Sequence, residues 1–190
     1  MKIIVILTVT VFLSCKNGKT TNDNKVEEIN TKQTQQVESP KEKDFNFTKT
    51  HNTKNYSLTI ESDNREMSTI KIYTKGMEYE FNETIEVEGQ VIDTYMADLN
   101  QDGFKEFYIK FSQTDDSGNI GLLGFISNRG KSISMIEVEE PTDLRDVNTD
   151  KLIIENDKII REFKTNGEIV NYRYKLSLGE ASYVLQPSKQ

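Results

Sequence analysis

The chain has 190 residues, a formal charge of −7 and an apolar fraction of 35% with no tryptophan, below the roughly 45–50% usual for a globular domain when glycine is counted. That length suits one domain with tails, and the apolar deficit requires either a thin core or a stretch of chain outside it. The negative charge excludes broad binding to nucleic acid, whose phosphates call for many Lys and Arg. A single cysteine and a single histidine exclude an internal disulfide framework, a Cys/His zinc cluster and most histidine-centred catalysis.

Met1 and Lys2 precede an eleven-residue apolar run, Ile3 to Leu13 (IIVILTVTVFL). The run is shorter than the about 20 residues that span a bilayer and has the length of a secretory h-region. Phe12-Leu13-Ser14-Cys15 follows and resembles a relaxed bacterial lipobox, with phenylalanine where leucine is usual. Residues 1–14 are therefore expected to be a lipoprotein signal peptide, with Cys15 lipidated after cleavage. A cleaved signal with an incidental cysteine is the alternative. Acyl chains at Cys15 make the membrane a partner through the anchor only. The expected place is the outer membrane of a Gram-negative envelope. No acidic cluster follows Cys15, of the kind that in similar lipoproteins favours export to the cell surface, so the expected side is the periplasmic one.

Residues 15–43 read as the lipidated cysteine and a disordered tether. Lys16–Lys43 holds only Val26, Ile29 and Val37 as large apolar residues, too few to offset chain entropy. The folded domain is expected over 44–187, with a short tail at 188–190. Charge follows this division. Lys16–Lys43 has six basic and five acidic residues, net +1, whereas Asp44–Gln190 has 17 basic and 26 acidic, net −9. The acidity belongs to the domain, where it aids solubility and draws in a basic protein partner.

Strand periodicity runs through the domain. Tyr56, Leu58 and Ile60 alternate with polar residues, as do Ile70 and Ile72, Ile85 and Val87, and Phe107, Ile109 and Phe111. The longest case sets Val170, Tyr172, Tyr174, Leu176 and Leu178 on one face and Asn171, Arg173, Lys175 and Ser177 on the other. This period of two predicts half-buried antiparallel strands. Asn128-Arg129-Gly130, Asn156-Asp157 and Asn166-Gly167 supply turns, the second at two-residue hairpin spacing. Pro40, Pro141 and Pro187 are predicted outside strands, and Glu139–Asp150 reads as a long loop. The fold class is all-β: an antiparallel β-sandwich or flattened barrel of about nine to eleven short strands.

The stretch Asp98-Leu99-Asn100-Gln101-Asp102-Gly103-Phe104-Lys105-Glu106 sets oxygen side chains at alternate positions before a glycine. That is the first half of a calcium loop, with Asp98, Asn100, Asp102 and Glu106 at positions 1, 3, 5 and 9. Position 12 is Ile109, where an EF-hand requires glutamate, and the flanks read as strands. Two readings stand: a Ca²⁺ site completed by ligands from elsewhere, and a strand–turn–strand corner held by Asx turns. No other cofactor is implied.

DLNQDGFKEFYIKF, then Ser117-Gly118, then GFISNRGKSIS, YRYKL and GEASYVL, resembles the periplasmic inhibitors of invertebrate-type lysozyme and their lipoprotein relatives, over roughly Phe45 to Leu185. The resemblance implies an all-β sandwich and a protruding loop whose Ser-Gly-x-Tyr motif enters a lysozyme cleft and blocks the catalytic carboxylates. On this chain the loop residues are Ser117, Gly118, Asn119 and Ile120. Ile120 replaces the tyrosine, which removes a phenol able to hydrogen-bond deep in a cleft. Asp115 and Asp116 carry charge of the sign that a carboxylate pair repels and that basic rim residues attract. The implied partner is a basic protein such as a lysozyme. An adhesion module binding glycan or calcium is the alternative. An enzyme is not expected: no GxSxG elbow is present, and His51 reads as a surface residue.

Overall fold

The computed structural model describes residues 45–113, 119–144 and 149–190. These form twelve strands: β1 Phe47–Asn52, β2 Ser57–Ser62, β3 Met67–Lys75, β4 Asn82–Glu88, β5 Gln90–Ala97, β6 Glu106–Ser112, β7 Ile120–Ser127, β8 Ile133–Val138, β9 Thr149–Glu155, β10 Lys158–Thr165, β11 Glu168–Leu178 and β12 Tyr183–Lys189. The all-β expectation holds, with one strand more than the upper expected number. The hydrophobic pattern singles out neither β5 nor β12, and it is weakest at β1, whose sequence FTKTHN has one large apolar residue. That strand forms by pairing in register along β2, from Phe47 opposite Ser62 to Asn52 opposite Ser57.

Two sheets result. Strands β1-β2-β3-β4 make a four-stranded antiparallel meander, and the second sheet runs β5-β6-β7-β8-β12-β11-β10-β9. Its pairs are antiparallel except β8 with β12, which lie parallel where Val184 and Leu185 meet Glu137 and Val138. The edge strands β5 and β9 approach each other, so the eight-stranded sheet is a nearly closed barrel. Full closure is one way a sheet removes its open edges. Lys110 Nζ spans the seam to the Leu152 carbonyl at 3.1 Å.

Strand β6 faces two cores. Phe107 and Ile109 point toward the four-stranded sheet and pack with Leu58, Ile60, Ile70 and Ile72. Tyr108 points the other way, into the barrel interior with Leu122, Ile136, Leu152 and Leu185. Successive side chains of a strand alternate faces, so one strand can join both layers. Each fully buried large apolar side chain contributes about 1.5–3 kcal/mol, and β6 supplies two, Phe107 and Ile109, flanking Tyr108.

The turns obey local chemistry. Asn156 and Asp157 both take positive φ, 50° and 54°, as do Asn166 and Gly167 at 50° and 83°; these are the left-handed pairs that two-residue hairpins need. Gly89 carries the chain from one sheet to the other at φ 129°, and a Cβ there would run into the Ser112 carbonyl.

Three expectations are corrected. Pro187 lies within β12, opposite Tyr174. The β8 flank of β12 pairs only at Val184 and Leu185, and the open edge beyond them tolerates a proline. His51 is buried, 8% exposed, because β1 lays it against β5 and Phe107. Leu178 is 73% exposed, since β11 outlasts the core beneath it.

Candidate functional site

The loop residues singled out by the sequence fall on two features of the eight-stranded sheet: the β6–β7 connection and the β5–β6 loop. The β6–β7 connection closes where Gln113 donates its N–H to the Asn119 carbonyl at 2.9 Å. Ser117 and Gly118 lie outside the described residues, as does Cys15. Asn119 precedes β7, and Ile120 is the first residue of β7, partly buried against the barrel core.

The base of this connection is held by a buried arginine. Arg161 on β10 is 1% exposed. Its Nη2 donates to the Ile120 carbonyl at 2.7 Å. Nε and Nη2 clamp Asp150 at 3.0 and 2.6 Å, and Nη1 pairs with Glu140. Asp150, whose side chain is fully buried, also accepts the Ile120 N–H at 2.8 Å. Ile120 thus has both backbone groups bonded to one ion pair. Burial works against the charge of Arg161, but its hydrogen bonds to Asp150 and the charges of Glu140 and Asp150 outweigh burial and hold the guanidinium ionised. Burial pushes the nearby Tyr174 phenol up to about 12.

Sequence reasoning missed this node, though a signal was present. Ile159, Arg161 and Phe163 share the inward parity of β10, and a charged residue at a core-facing position requires a partner. Asp150 sits in the stretch read as loop, yet it already belongs to β9.

The β5–β6 loop brings the four predicted oxygen-bearing residues together. Asp98 accepts the N–H groups of Asp102 and Gly103, both at 3.1 Å. Asn100 Oδ1 accepts the Asp102 N–H at 3.0 Å, and its amide donates to Asp102 Oδ2 at 3.0 Å. Gln101 and Gly103 take positive φ, 60° and 86°, which folds the side chains of positions 1, 3 and 5 to one side. Glu106 opens β6 at the inward parity of Tyr108 and is completely buried. Its Oε2 accepts the Leu99 N–H at 2.7 Å, whereas Oε1 has no hydrogen-bond partner. One oxygen from each of Asp98, Asp102 and Glu106 lies within 4.8 Å of the others. Burial raises the Glu106 carboxyl to about 7; the Leu99 N–H opposes that rise, and the charges of Asp98 and Asp102 add to it.

His51 shares a 2.7 Å hydrogen bond with the Thr94 hydroxyl and tilts against the Phe107 ring. Its place is structural, fastening the four-stranded sheet to β5, alongside Lys49, which reaches Asp93 at 2.6 Å. No family model matches this chain, and no curated protein matches it.

Proposed function

We propose that this chain is a lipid-anchored envelope protein that binds a lysozyme and occludes its active-site cleft with the loop between β6 and β7. The observation that carries the reading is the clamped base of that connection, Ile120 bonded through both backbone groups to Asp150 and Arg161. A loop held at its base loses less entropy on docking, so more of the contact energy appears as affinity. The motif resemblance assigns the docking role to Ser117, whose hydroxyl suits a cleft carboxylate, and to Gly118, which allows close backbone approach. Asn119 and Ile120 belong to the root, with Ile120 anchoring the loop from within. The domain's net charge of −9 steers it toward a basic enzyme and acts on the association rate more than on final affinity. The reading assigns no catalytic group to the chain: occlusion alone accounts for inhibition.

Cys15 supplies the anchor in this proposal, and the tether after it gives the domain reach from the membrane. Two measurements test the reading. Metabolic labelling with a palmitate analogue is expected to mark the wild-type chain and not Cys15→Ser. A pull-down against lysozymes of several classes is expected to retain an invertebrate-type enzyme; retention of none would remove the functional proposal.

A further inference from the structure

We propose that the β5–β6 loop is a calcium site, with Asp98, Asn100, Asp102 and Glu106 as its side-chain ligands. The cluster of carboxylates is the first observation and would not suffice, since exposed acidic turns are common. The second is Glu106. It is completely buried, approaches Asp98 and Asp102 within 4.8 Å, and keeps Oε1 without a hydrogen-bond partner. Buried carboxylate oxygens are satisfied by donors or by cations. Asp98 and Asp102 donate nothing to Oε1, the Asn100 amide is already bonded to Asp102, and the Tyr108 hydroxyl, likewise buried without a partner, makes no hydrogen bond to it. The near cation, Lys105, is turned away to Asp157 at 2.9 Å.

The missing glutamate at position 12 is not needed in this setting. A loop between two antiparallel strands closes over nine residues, and the residue that opens the return strand, position 9, comes back beside position 1. Glu106 occupies that place. The ligands are all hard oxygens, the set that suits calcium or magnesium over softer metals. A calcium sphere admits ligand oxygens up to about 5 Å apart, and a magnesium sphere only about 4 Å, given their metal–oxygen distances. The intermediate or exposed positions of Asp98, Asn100 and Asp102 leave one side open for the waters that complete a calcium shell. The inference is independent of lysozyme binding, and its test uses no lysozyme.

The test is calorimetry and thermal unfolding of the full-length protein, stripped with a chelator and titrated with calcium chloride, then separately with magnesium chloride. One calcium per chain is expected, with a midpoint rise of about 5–11 °C at hundredfold excess over Kd and a clearly smaller rise with magnesium. Asp102→Asn, at an exposed position, is expected to keep the metal-free midpoint and to weaken calcium binding by about tenfold or more. Glu106→Gln is expected to abolish the calcium-induced rise. No heat and no midpoint change at millimolar calcium would overturn the proposal, as would undiminished binding in both variants. An equal or larger response to magnesium would overturn the assignment of calcium.

Discussion

His51 is a buried imidazole with one polar partner, Thr94, and a cationic neighbour, Lys49, and that arrangement sets the sign of its pH response. Burial is the first cause of its lowered pKa and Lys49 adds to it, while Asp93 opposes. The folded state therefore resists protonation, and the unfolded chain, titrating near 6.5, takes up the proton first. Its contribution to stability is expected to fall as pH drops below about 6.5, with the loss extending down through the depressed folded pKa. Glu106, whose carboxyl is raised to about 7, titrates in the same window with the opposite sign and is common to the wild type and His51→Gln. From pH 7.5 to 5 the denaturation midpoint of the wild type should therefore fall relative to that of His51→Gln; a constant difference between the two would show that His51 contributes nothing. At this scale the sequence was readable in part. Glu106, Asp98 and Asp102 announced themselves by spacing, but the burial of His51 did not, because its strand carries one large apolar residue and its cover comes from β5 and β6.

The element scale concerns Gly89 and the Arg161 node. Gly89→Ala puts a Cβ against the Ser112 carbonyl at a φ of 129°, and strained positions of this kind cost about 1–3 kcal/mol before the clash is counted. Chemical denaturation is expected to show at least that loss. Asp150→Asn leaves the Arg161 guanidinium buried with its main countercharge gone, and breaking a buried pair in this way costs about 3–5 kcal/mol. The double variant Arg161→Met/Asp150→Leu is expected to recover only part of that loss: an apolar pair avoids the desolvation of two charges but leaves the Ile120 N–H and carbonyl without their partners. A double variant no better than Asp150→Asn would show that the backbone groups of Ile120 depend on the pair. The hairpin turns at Asn156-Asp157 and Asn166-Gly167 were legible because they rest on local φ preferences. The sheet change at Gly89 was not: a one-residue link between two alternating strands has no composition signal.

At the scale of the whole molecule, the strand order was the part hidden from sequence. The parallel pairing of β8 with β12 joins Glu137 and Val138 to Val184 and Leu185, a contact set by how the barrel closes and not by any neighbouring residue. The alternation along β6 was readable, but that its two faces serve two different cores follows only from the presence of both sheets. Charge, by contrast, is a global property the sequence gives directly. With the acidity concentrated in the folded region, association with a basic lysozyme is expected to slow steeply as ionic strength rises from about 0.05 to 0.3 M, while dissociation changes little. Stopped-flow measurement of both rates checks this, and a salt-independent association rate would remove the steering argument.

The most direct measurement is a lysozyme activity titration with the full-length protein and its Ser117→Ala variant, using an invertebrate-type enzyme. The account predicts that the wild type inhibits in a saturable manner and that Ser117→Ala inhibits about tenfold or more weakly with an unchanged unfolding midpoint, the loss of one hydrogen bond to a charged group. Undiminished lysozyme activity at saturating wild-type protein would contradict it.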